Sequence, residues 1–244
     1  MTSSGGDFGT IDPGGDSGGG GGGTVPGQGD GESCDGKYTG TIRDFHDTFP
    51  DMEPAHSGKC DSCDDRAIVA DTLGADFKPV YAGGAQGTLT TTGPANFDMW
   101  FHDAEDVNYP MPLTLQFVDP EGDGVWTYDD QDFFPIDGML FGNEGRPHNY
   151  HFTFEMHMGF IYNGGEKFTF AGDDDVFTYI DGKKVVDLGG IHAQQTAAVD
   201  LDTLGLEVGR QYQLDFFFAE RHVTDSHFRV ETTIKFVNCG GDIR

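Results

Sequence analysis

The sequence predicts an all-β domain, a sandwich or barrel of mainly antiparallel strands with one or two short helices. Along several segments, apolar residues alternate with polar ones, which is the period of a strand with one buried face. Clusters of Gly, Asp and Pro separate these segments, as turns separate short strands. Because a helical period appears in only one stretch, a helical or mixed α/β fold is disfavoured.

The first 33 residues differ from the rest of the chain. They are rich in Gly, contain scattered Asp and have almost no large apolar side chains. Such a segment cannot bury enough apolar surface to offset the entropy lost on ordering, so we expect residues 1–33 to be a disordered linker or tether. Residues 34–240 are long enough for one β domain with a sizeable core.

The alternating patterns predict individual strands. The segments at 113–117, 152–160 and 228–236 each place their large apolar side chains on one face, as half-buried strands do. Residues 212–220 are apolar more continuously, which favours a central strand. His151, which directly precedes the second segment, falls on the same polar face as Glu155 and His157. A zinc or copper site there is conceivable, but the pattern does not define three ligands with a fixed geometry.

One segment has helical periodicity. Large side chains recur at the spacing of a single helix face, with Asn96 at the position of an N-cap. The side chains on this face are Phe97, Trp100, Phe101 and Ala104. An apolar stripe of this kind usually packs into a core, so we expect these rings to be buried rather than to form a platform for a ligand.

The charge balance excludes some partners. Asp and Glu number 42 against 14 Lys and Arg, which gives a formal net charge of −28. Nucleic acid and anionic membrane surfaces reward basic patches, so neither is expected, whereas divalent cations are favoured. No apolar stretch is long enough to span a bilayer, so we expect no membrane insertion by this chain. The amino terminus has no basic start or apolar run, and we expect that a secretory signal has been removed.

Four cysteines bound the predicted domain. Cys34 precedes the first strand-like segment and Cys239 follows the last, so a disulfide between them would join the two ends of the domain. Cys60 and Cys63 could then form a small local bridge. A four-thiolate zinc site and a redox pair are the alternatives, although zinc ribbons usually have two close pairs and redox motifs usually open a helix.

Three consecutive carboxylates, Asp173, Asp174 and Asp175, stand between two predicted strands. Asp181 and Gly182 then form a strong two-residue hairpin turn. The triplet is therefore predicted on a loop at the end of a sheet, where binding residues concentrate. Vicinal carboxylates can supply several of the oxygen ligands that Ca²⁺ takes, and a solvated acidic turn is the alternative.

A second acidic stretch covers residues 119–130. Its spacing approaches that of a calcium-binding loop, but strand-like segments rather than helices surround it. We therefore interpret it as an ordinary hairpin turn.

The acidic triplet lies within a longer motif, FTFAGDDDVFTYIDGKKVVDLGGIH, from Phe168 to His192. This stretch closely resembles the core motif of fibro-slime domains, a branch of the PA14 superfamily. Five further segments resemble that family in order: IRDFHDTFPDME, FDMWFHDAEDVN, DDQDFFPIDG, HNYHFTFEMH and FFFAERHVTDSHFRVET. The resemblance covers residues 38–236 and implies a PA14-like antiparallel β-sandwich in a secreted or cell-surface protein.

The resemblance also implies candidate metal ligands. In yeast adhesins of the PA14 superfamily, an Asp–Asp pair on one loop binds Ca²⁺, and the ion holds sugar hydroxyls. Asp173 and Asp174 match this pair. Asp175 stands where many PA14 domains carry a small or apolar residue, and we include it as a third metal-ligand candidate.

Three polar residues are candidates for contacts with a ligand beside the ion. They are His192, Glu220 and Arg221. Each has a structural alternative: His192 could be a hydrogen-bonded structural histidine, and Glu220 and Arg221 could form an ion pair that braces a loop.

These observations lead to one functional hypothesis and two alternatives. We expect a non-enzymatic adhesion or recognition module, secreted or at the cell surface, that depends on Ca²⁺ and binds a glycan or a matrix polysaccharide. A structural matrix domain without a ligand is the first alternative. The second is a glycoside hydrolase with two carboxylates across a cleft. It is the enzymatic hypothesis that remains, because the chain has no G-x-S-x-G, H-E-x-x-H or P-loop motif.

Overall fold

The structure is a computed structural model that describes residues 34–53 and 57–240. The predicted tether at residues 1–33 lies outside the described residues. The described part of the chain forms fourteen strands, one short α-helix and one short 3₁₀ helix. The strands pair antiparallel in two large sheets and one small one, which confirms the predicted all-β architecture.

The strands are named β1–β14 in chain order. In spatial order, the eight-stranded sheet contains β4 (Pro79–Tyr81), β3 (Val69–Leu73), β10 (Lys183–Leu188), β9 (Asp175–Ile180), β13 (Gln211–Glu220), β7 (Phe152–Ile161), β1 (Lys37–Phe45) and β5 (Asn108–Gln116). The four-stranded sheet contains β12 (Gln195–Asp200), β8 (Lys167–Gly172), β14 (Phe228–Thr232) and β6 (Trp126–Asp130). The small sheet pairs β11 (Gly190–Ile191) with β2 (Cys63–Asp64), and the 3₁₀ helix covers Leu201–Leu204.

The two large sheets enclose the main hydrophobic core. Alternate side chains of β7 and β13 face those of β8 and β14, as the period of two requires. Phe228 on β14 lies at the centre, with its ring centroid 5.4 Å from that of Phe170 and 5.3 Å from that of Phe218. Edge-on contacts of this kind contribute about 0.5–1.5 kcal/mol beyond the area they bury. The inward faces predicted for 152–160 and 228–236 are therefore confirmed.

The opposite face of the eight-stranded sheet is covered as well. Phe177 and Phe217 project from this face into a second apolar cluster. The covering residues come from the segment between β1 and β5 and include Phe49, Met52, Phe97, Trp100 and Phe101. The prediction that 152–160 is half buried is wrong for this reason, because nearly every side chain of β7 is buried.

The polar residues of β7 are held in buried ion pairs. Glu155 contacts Arg43 through a 2.7 Å ion pair and also pairs with Lys78. Burial would raise the pKa of Glu155, but its cationic neighbours lower that pKa to about 2. Nδ1 of His157 lies 2.7 Å from Asp215 and its Nε2 lies 3.3 Å from Glu155, while His151 contacts Glu53 at 3.0 Å. Each histidine thus has a carboxylate partner of its own, which gives no support to a shared metal site on this strand.

The predicted helix is shorter than its apolar stripe. The helix α1 covers only Pro94–Asp98, and its N-cap is Gly93. The expectation that Asn96 caps it is wrong, because the helix begins at the proline, whose ring suits the first turn. Asn108 donates to the carbonyl oxygens of Met99 and His102 and so satisfies backbone groups that a longer helix would have used. The aromatic rings are nevertheless buried, as predicted.

Both predicted disulfides are present. The bridge between Cys34 and Cys239 spans a sequence separation of 205 and joins the two ends of the domain. Cys60 and Cys63 form the local bridge. No cysteine is free among the described residues, so the four-thiolate zinc alternative receives no support. Cys63 begins β2 rather than a helix, which differs from the usual setting of a redox pair.

The acidic stretch at 119–130 is a turn. The carboxylate of Asp119 accepts hydrogen bonds from the backbone N–H groups of Gly122, Asp123 and Gly124 at 2.8–3.2 Å. Its oxygens are thus used within the turn, as expected for an Asx-type loop. The part of the chain that the structure describes contains no helix with the length and apolar character needed to cross a bilayer.

Candidate functional site

The acidic triplet lies where the chain crosses from one sheet to the other. β8 ends at Gly172 in the four-stranded sheet, and β9 begins at Asp175 in the eight-stranded sheet. Only Asp173 and Asp174 connect them. So short a crossing needs a sharp bend, and Asp174 has a φ of 55°, in the left-handed region that Asp tolerates better than most residues.

Asp175 is directed away from solvent, into a buried ion pair. Its Oδ2 accepts from Arg221 Nε at 2.6 Å, and its Oδ1 accepts from the backbone N–H of Gly190 at 2.7 Å. The two side chains of the pair are fully buried. Burial raises the pKa of Asp175, and the positive charge of Arg221 opposes that rise.

Arg221 is held on all sides by protein groups. Its Nη1 donates to the carbonyl oxygens of Asp51 and Thr90, at 3.1 and 2.8 Å. The guanidinium also lies over the ring of Trp100, 4.7 Å from the centroid. The structure therefore places Arg221 and Asp175 in the wall behind the site rather than at its surface. The expected ion pair of Arg221 with Glu220 is not formed, since Asp175 takes its place.

Asp173 and Asp174 face a different environment. The carboxylate of Asp173 accepts from the backbone N–H of His227 at 2.5 Å, and its other oxygen contacts Nδ1 of the same residue at 2.7 Å. Asp174 uses Oδ2 to accept from the backbone N–H of Arg221 at 2.8 Å. Burial raises the pKa of Asp174 to about 7, although the charge of Arg221 lowers it. Among the described residues, no hydrogen bond is made to Asp174 Oδ1.

Glu220 ends β13 directly behind this pair. It is 1% exposed, and its Oε2 has no hydrogen-bond partner among the described residues. Burial raises the pKa of Glu220 well above its usual range, and the negative charges of Asp174 and Asp173 raise it further. The other oxygen, Oε1, accepts from the backbone N–H of His222 at 3.4 Å. A buried carboxylate oxygen without a hydrogen-bond donor costs free energy, which a proton or a cation would remove.

A cavity of about 470 Å³ opens beside Asp173 and Asp174. We call it the acidic pocket. Its polar lining comprises Asp61, Ser62, Asp173, Asp174, His192, Gln194, His222, Thr224, Asp225 and His227. Of the predicted site residues, it brings together the first two aspartates and His192. Glu220 lies behind it, and Asp175 and Arg221 do not line it.

His192 is fixed by the backbone around it. Its Nδ1 lies 3.1 Å from the carbonyl oxygen of Ala193, and its Nε2 lies 3.2 Å from that of Leu188. These contacts orient the ring at the edge of the acidic pocket. His192 can therefore have the structural role considered above and still lie at the edge of the acidic pocket.

The sequence did not indicate two parts of the rim. Asp61 and Ser62 lie between the cysteines of the local disulfide, and β2 carries them to β11, next to His192. His227 immediately precedes β14 and binds Asp173. The sequence could have indicated that Asp61 and Ser62 are held in place, because they lie between two bridged cysteines. It could not show that they lie near the acidic triplet, because the pairing of β2 with β11 decides that.

The acidic pocket lies beside carboxylate oxygens, which are the ligands that Ca²⁺ prefers in proteins. Among the described residues, Glu220 Oε2 has no hydrogen-bond partner and no hydrogen bond is made to Asp174 Oδ1. Within residues 34–53 and 57–240, however, no three His, Cys, Asp or Glu side chains are already arranged to hold a metal ion. The donor chemistry fits Ca²⁺, and binding would require Asp173 to exchange its contact with His227 for the ion.

Comparison with known proteins identifies the family. Residues 142–243, which include the triplet and both strands around it, match the family model of the PA14 domain. The matched residues are similar to PA14 domains, and they make up less than half of the chain. The resemblance predicted from the sequence is thus confirmed at the level of the family, and the curled antiparallel sheets agree with it.

Relatives and a solved structure are also similar to this chain. Protein psiC of Dictyostelium discoideum is 39% identical over 181 residues, which are 68% of this chain and 35% of psiC. Protein psiR of the same organism is 36% identical over 209 residues, 79% of this chain and 21% of psiR. The chain thus spans about a fifth to a third of these relatives. A PA14 sugar-binding domain from an RTX adhesin has a TM-score of 0.37 at 7% identity, covering 81% of this chain and 90% of its own.

Proposed function

We propose that this chain is a recognition module of a secreted or cell-surface protein and binds a glycan at the acidic pocket with the help of Ca²⁺. The observation that carries the proposal is a cluster of three carboxylates, from Asp173, Asp174 and Glu220, beside an open cavity. Burial and mutual repulsion disfavour the ionised forms of Asp174 and Glu220, and a divalent cation would offset both effects.

In this proposal, Asp173 and Asp174 hold the ion and Glu220 adds negative charge behind them. Bound Ca²⁺ would supply coordination positions that vicinal sugar hydroxyls can occupy. His192 and the segment 222–227 then orient the sugar from the rim, as a few polar groups do in most ligand sites. Asp175 contributes indirectly, because its ion pair with Arg221 fixes the start of β9.

The secreted or surface location is supported by the disulfides. The bridge between Cys34 and Cys239 persists only where thiols are not kept reduced. A non-catalytic role is supported by the placement of the carboxylates. Asp173 and Asp174 are adjacent on one link, whereas glycoside hydrolysis needs two carboxyl groups about 5–9.5 Å apart across a cleft.

Calorimetric titration with Ca²⁺ tests the metal part of the proposal. We expect the wild-type protein to bind and Asp174→Asn to bind at least about tenfold more weakly, because one ligand charge is lost. Asp106→Asn is the matched control, since Asp106 is exposed, remote from the acidic pocket and also has a positive φ, of 61°. If the wild-type protein gives no heat and no thermal shift with Ca²⁺, the metal part fails.

A glycan array read in Ca²⁺ and again in a chelator tests the sugar part. We expect binding that disappears with the chelator and with Asp174→Asn. If the protein binds Ca²⁺ and gains thermal stability but retains no glycan, it is a structural matrix domain instead. The buried carboxylates are consistent with that alternative as well.

A further inference from the structure

A second cavity lies at the other end of the same strands. β9 and β13 pair antiparallel, so the acidic pocket lies at the start of β9 and the end of β13. At the opposite end, a cavity of about 440 Å³ opens between the Asp181–Gly182 turn and the segment 203–210 that leads into β13. We call it the cationic pocket. It shares no lining residue with the acidic pocket.

Two side chains of the cationic pocket are cations without a counter-ion. Lys183 and Arg210 are exposed, and neither forms an ion pair with the residues that the structure describes. In contrast, six other Lys and Arg residues are paired with carboxylates: Arg43, Lys78, Arg146, Lys184, Arg221 and Arg229. Other cations, such as Lys37 and Lys235, also form no ion pair with the described residues, but they do not line this cavity. The presence of both Lys183 and Arg210 at one cavity is therefore what favours an anionic group there.

Arg210 is already oriented at the cavity. Its guanidinium lies over the ring of Tyr212, 5.2 Å from the centroid. Tyr212 is buried, and its hydroxyl oxygen accepts a hydrogen bond from the backbone N–H of Glu207 at 2.8 Å. The ring therefore provides a fixed support, which reduces the side-chain entropy that binding would otherwise remove.

The remaining charges of the cavity define the ligand further. Asp181 and Glu207 also line it and are exposed, while Lys184 is neutralised by Asp187 at 2.8 Å. A cation pair binds a carboxylate, and free carboxylates accept hydrogen bonds from hydroxyl groups. A carboxylate flanked by hydroxyls is the chemistry of an acidic sugar.

We propose that the cationic pocket binds an acidic sugar, with its carboxylate at Lys183 and Arg210 and its hydroxyls at Asp181 and Glu207. This site is independent of Ca²⁺ and of the acidic pocket. Val185, Leu204 and Leu206 also line the cavity, and their apolar side chains can contact the sugar ring.

Nuclear magnetic resonance titration of the full chain with glucuronate tests this proposal. The experiment is done in a chelator, so that a failure of the calcium proposal does not affect it. We expect saturable shifts confined to residues 180–185 and 203–212, much weaker shifts with glucose, and affinity that falls as salt rises, because salt screens the charge contacts.

Variants separate this site from general charge effects. Lys183→Gln with Arg210→Gln should weaken glucuronate binding at least about tenfold, since charge-assisted contacts are lost. Lys37→Gln with Lys235→Gln removes the same charge from exposed positions remote from the cavity and should leave binding unchanged. The proposal is overturned if glucuronate causes no shifts, if glucose binds equally well, or if both double variants have the same effect.

Discussion

Replacing Arg221 by Met should strongly destabilise the domain. The change removes the positive charge but keeps an unbranched side chain of similar length beside Trp100. It leaves Asp175 fully buried without its counter-ion and leaves the carbonyl oxygens of Asp51 and Thr90 without their donor. Breaking a buried pair on one side costs about 3–5 kcal/mol. For a domain of this size that corresponds to a fall of about 6–20 °C in melting temperature.

The loss should depend on pH. Without Arg221, the charge that lowers the pKa of Asp175 is absent, and burial raises that pKa further. A carboxyl group with a raised folded-state pKa contributes full stability below its unfolded pKa of about 3.9 and loses it as pH rises through the folded value. The difference between Arg221→Met and wild type should therefore be larger at pH 8 than at pH 5.

Urea unfolding at both pH values measures these differences. Arg229→Met is the control, because Arg229 pairs with Asp129 at an exposed position, where an ion pair is worth about 0–1 kcal/mol. Adding Asp175→Asn to Arg221→Met should recover part of the loss, since the carboxylate that lost its counter-ion is then removed as well. If Arg221→Met costs no more than Arg229→Met, or if Asp175→Asn gives no recovery, the buried pair does not support the site as described.

Two further predictions concern regions outside the acidic pocket. Replacing Cys34 and Cys239 together by Ser should lower the free energy of unfolding by about 2–5 kcal/mol, because the bridge closes a very long loop; a urea midpoint equal to that of wild type would contradict this. Burial raises the pKa of Asp44 to about 6, against hydrogen bonds from Asn149 and the Phe141 backbone. Its contribution to stability should thus be complete below about pH 4 and be lost as pH rises through 6, and a carboxyl titration by nuclear magnetic resonance that places this pKa near 4 would refute it.

Much of the fold could be predicted because its signals are local. The alternation in 152–160 and 228–236 assigned the faces that form the main core. The Asp181–Gly182 pair marked its hairpin correctly, since both residues adopt the positive φ that such a turn needs. The helical stripe predicted burial but not helix length, because Asn108 and the proline set the helix ends from outside the pattern.

The second buried face could not be predicted in the same way. The segment that covers it contains Phe49, Met52 and Phe101 in turns, which have no fixed period. The sequence pattern therefore predicted that the polar side of β7 is exposed to solvent. Only the folded chain shows that Glu155 has two cationic partners there, from β1 and from the loop before β4.

By itself, the sequence determined several of the long strands and the position of the acidic triplet at a strand junction, and it favoured the cysteine pairing without deciding it. The tertiary structure decided what each carboxylate does. Asp175 turns inward to Arg221, whereas Asp173 and Asp174 form the link between two sheets beside the acidic pocket. The physical reason is that periodicity records only which side of a strand is buried. Ion pairs and cavities depend on which strands become neighbours, and β9 pairs with β13, and β8 with β14, through contacts far apart in the chain.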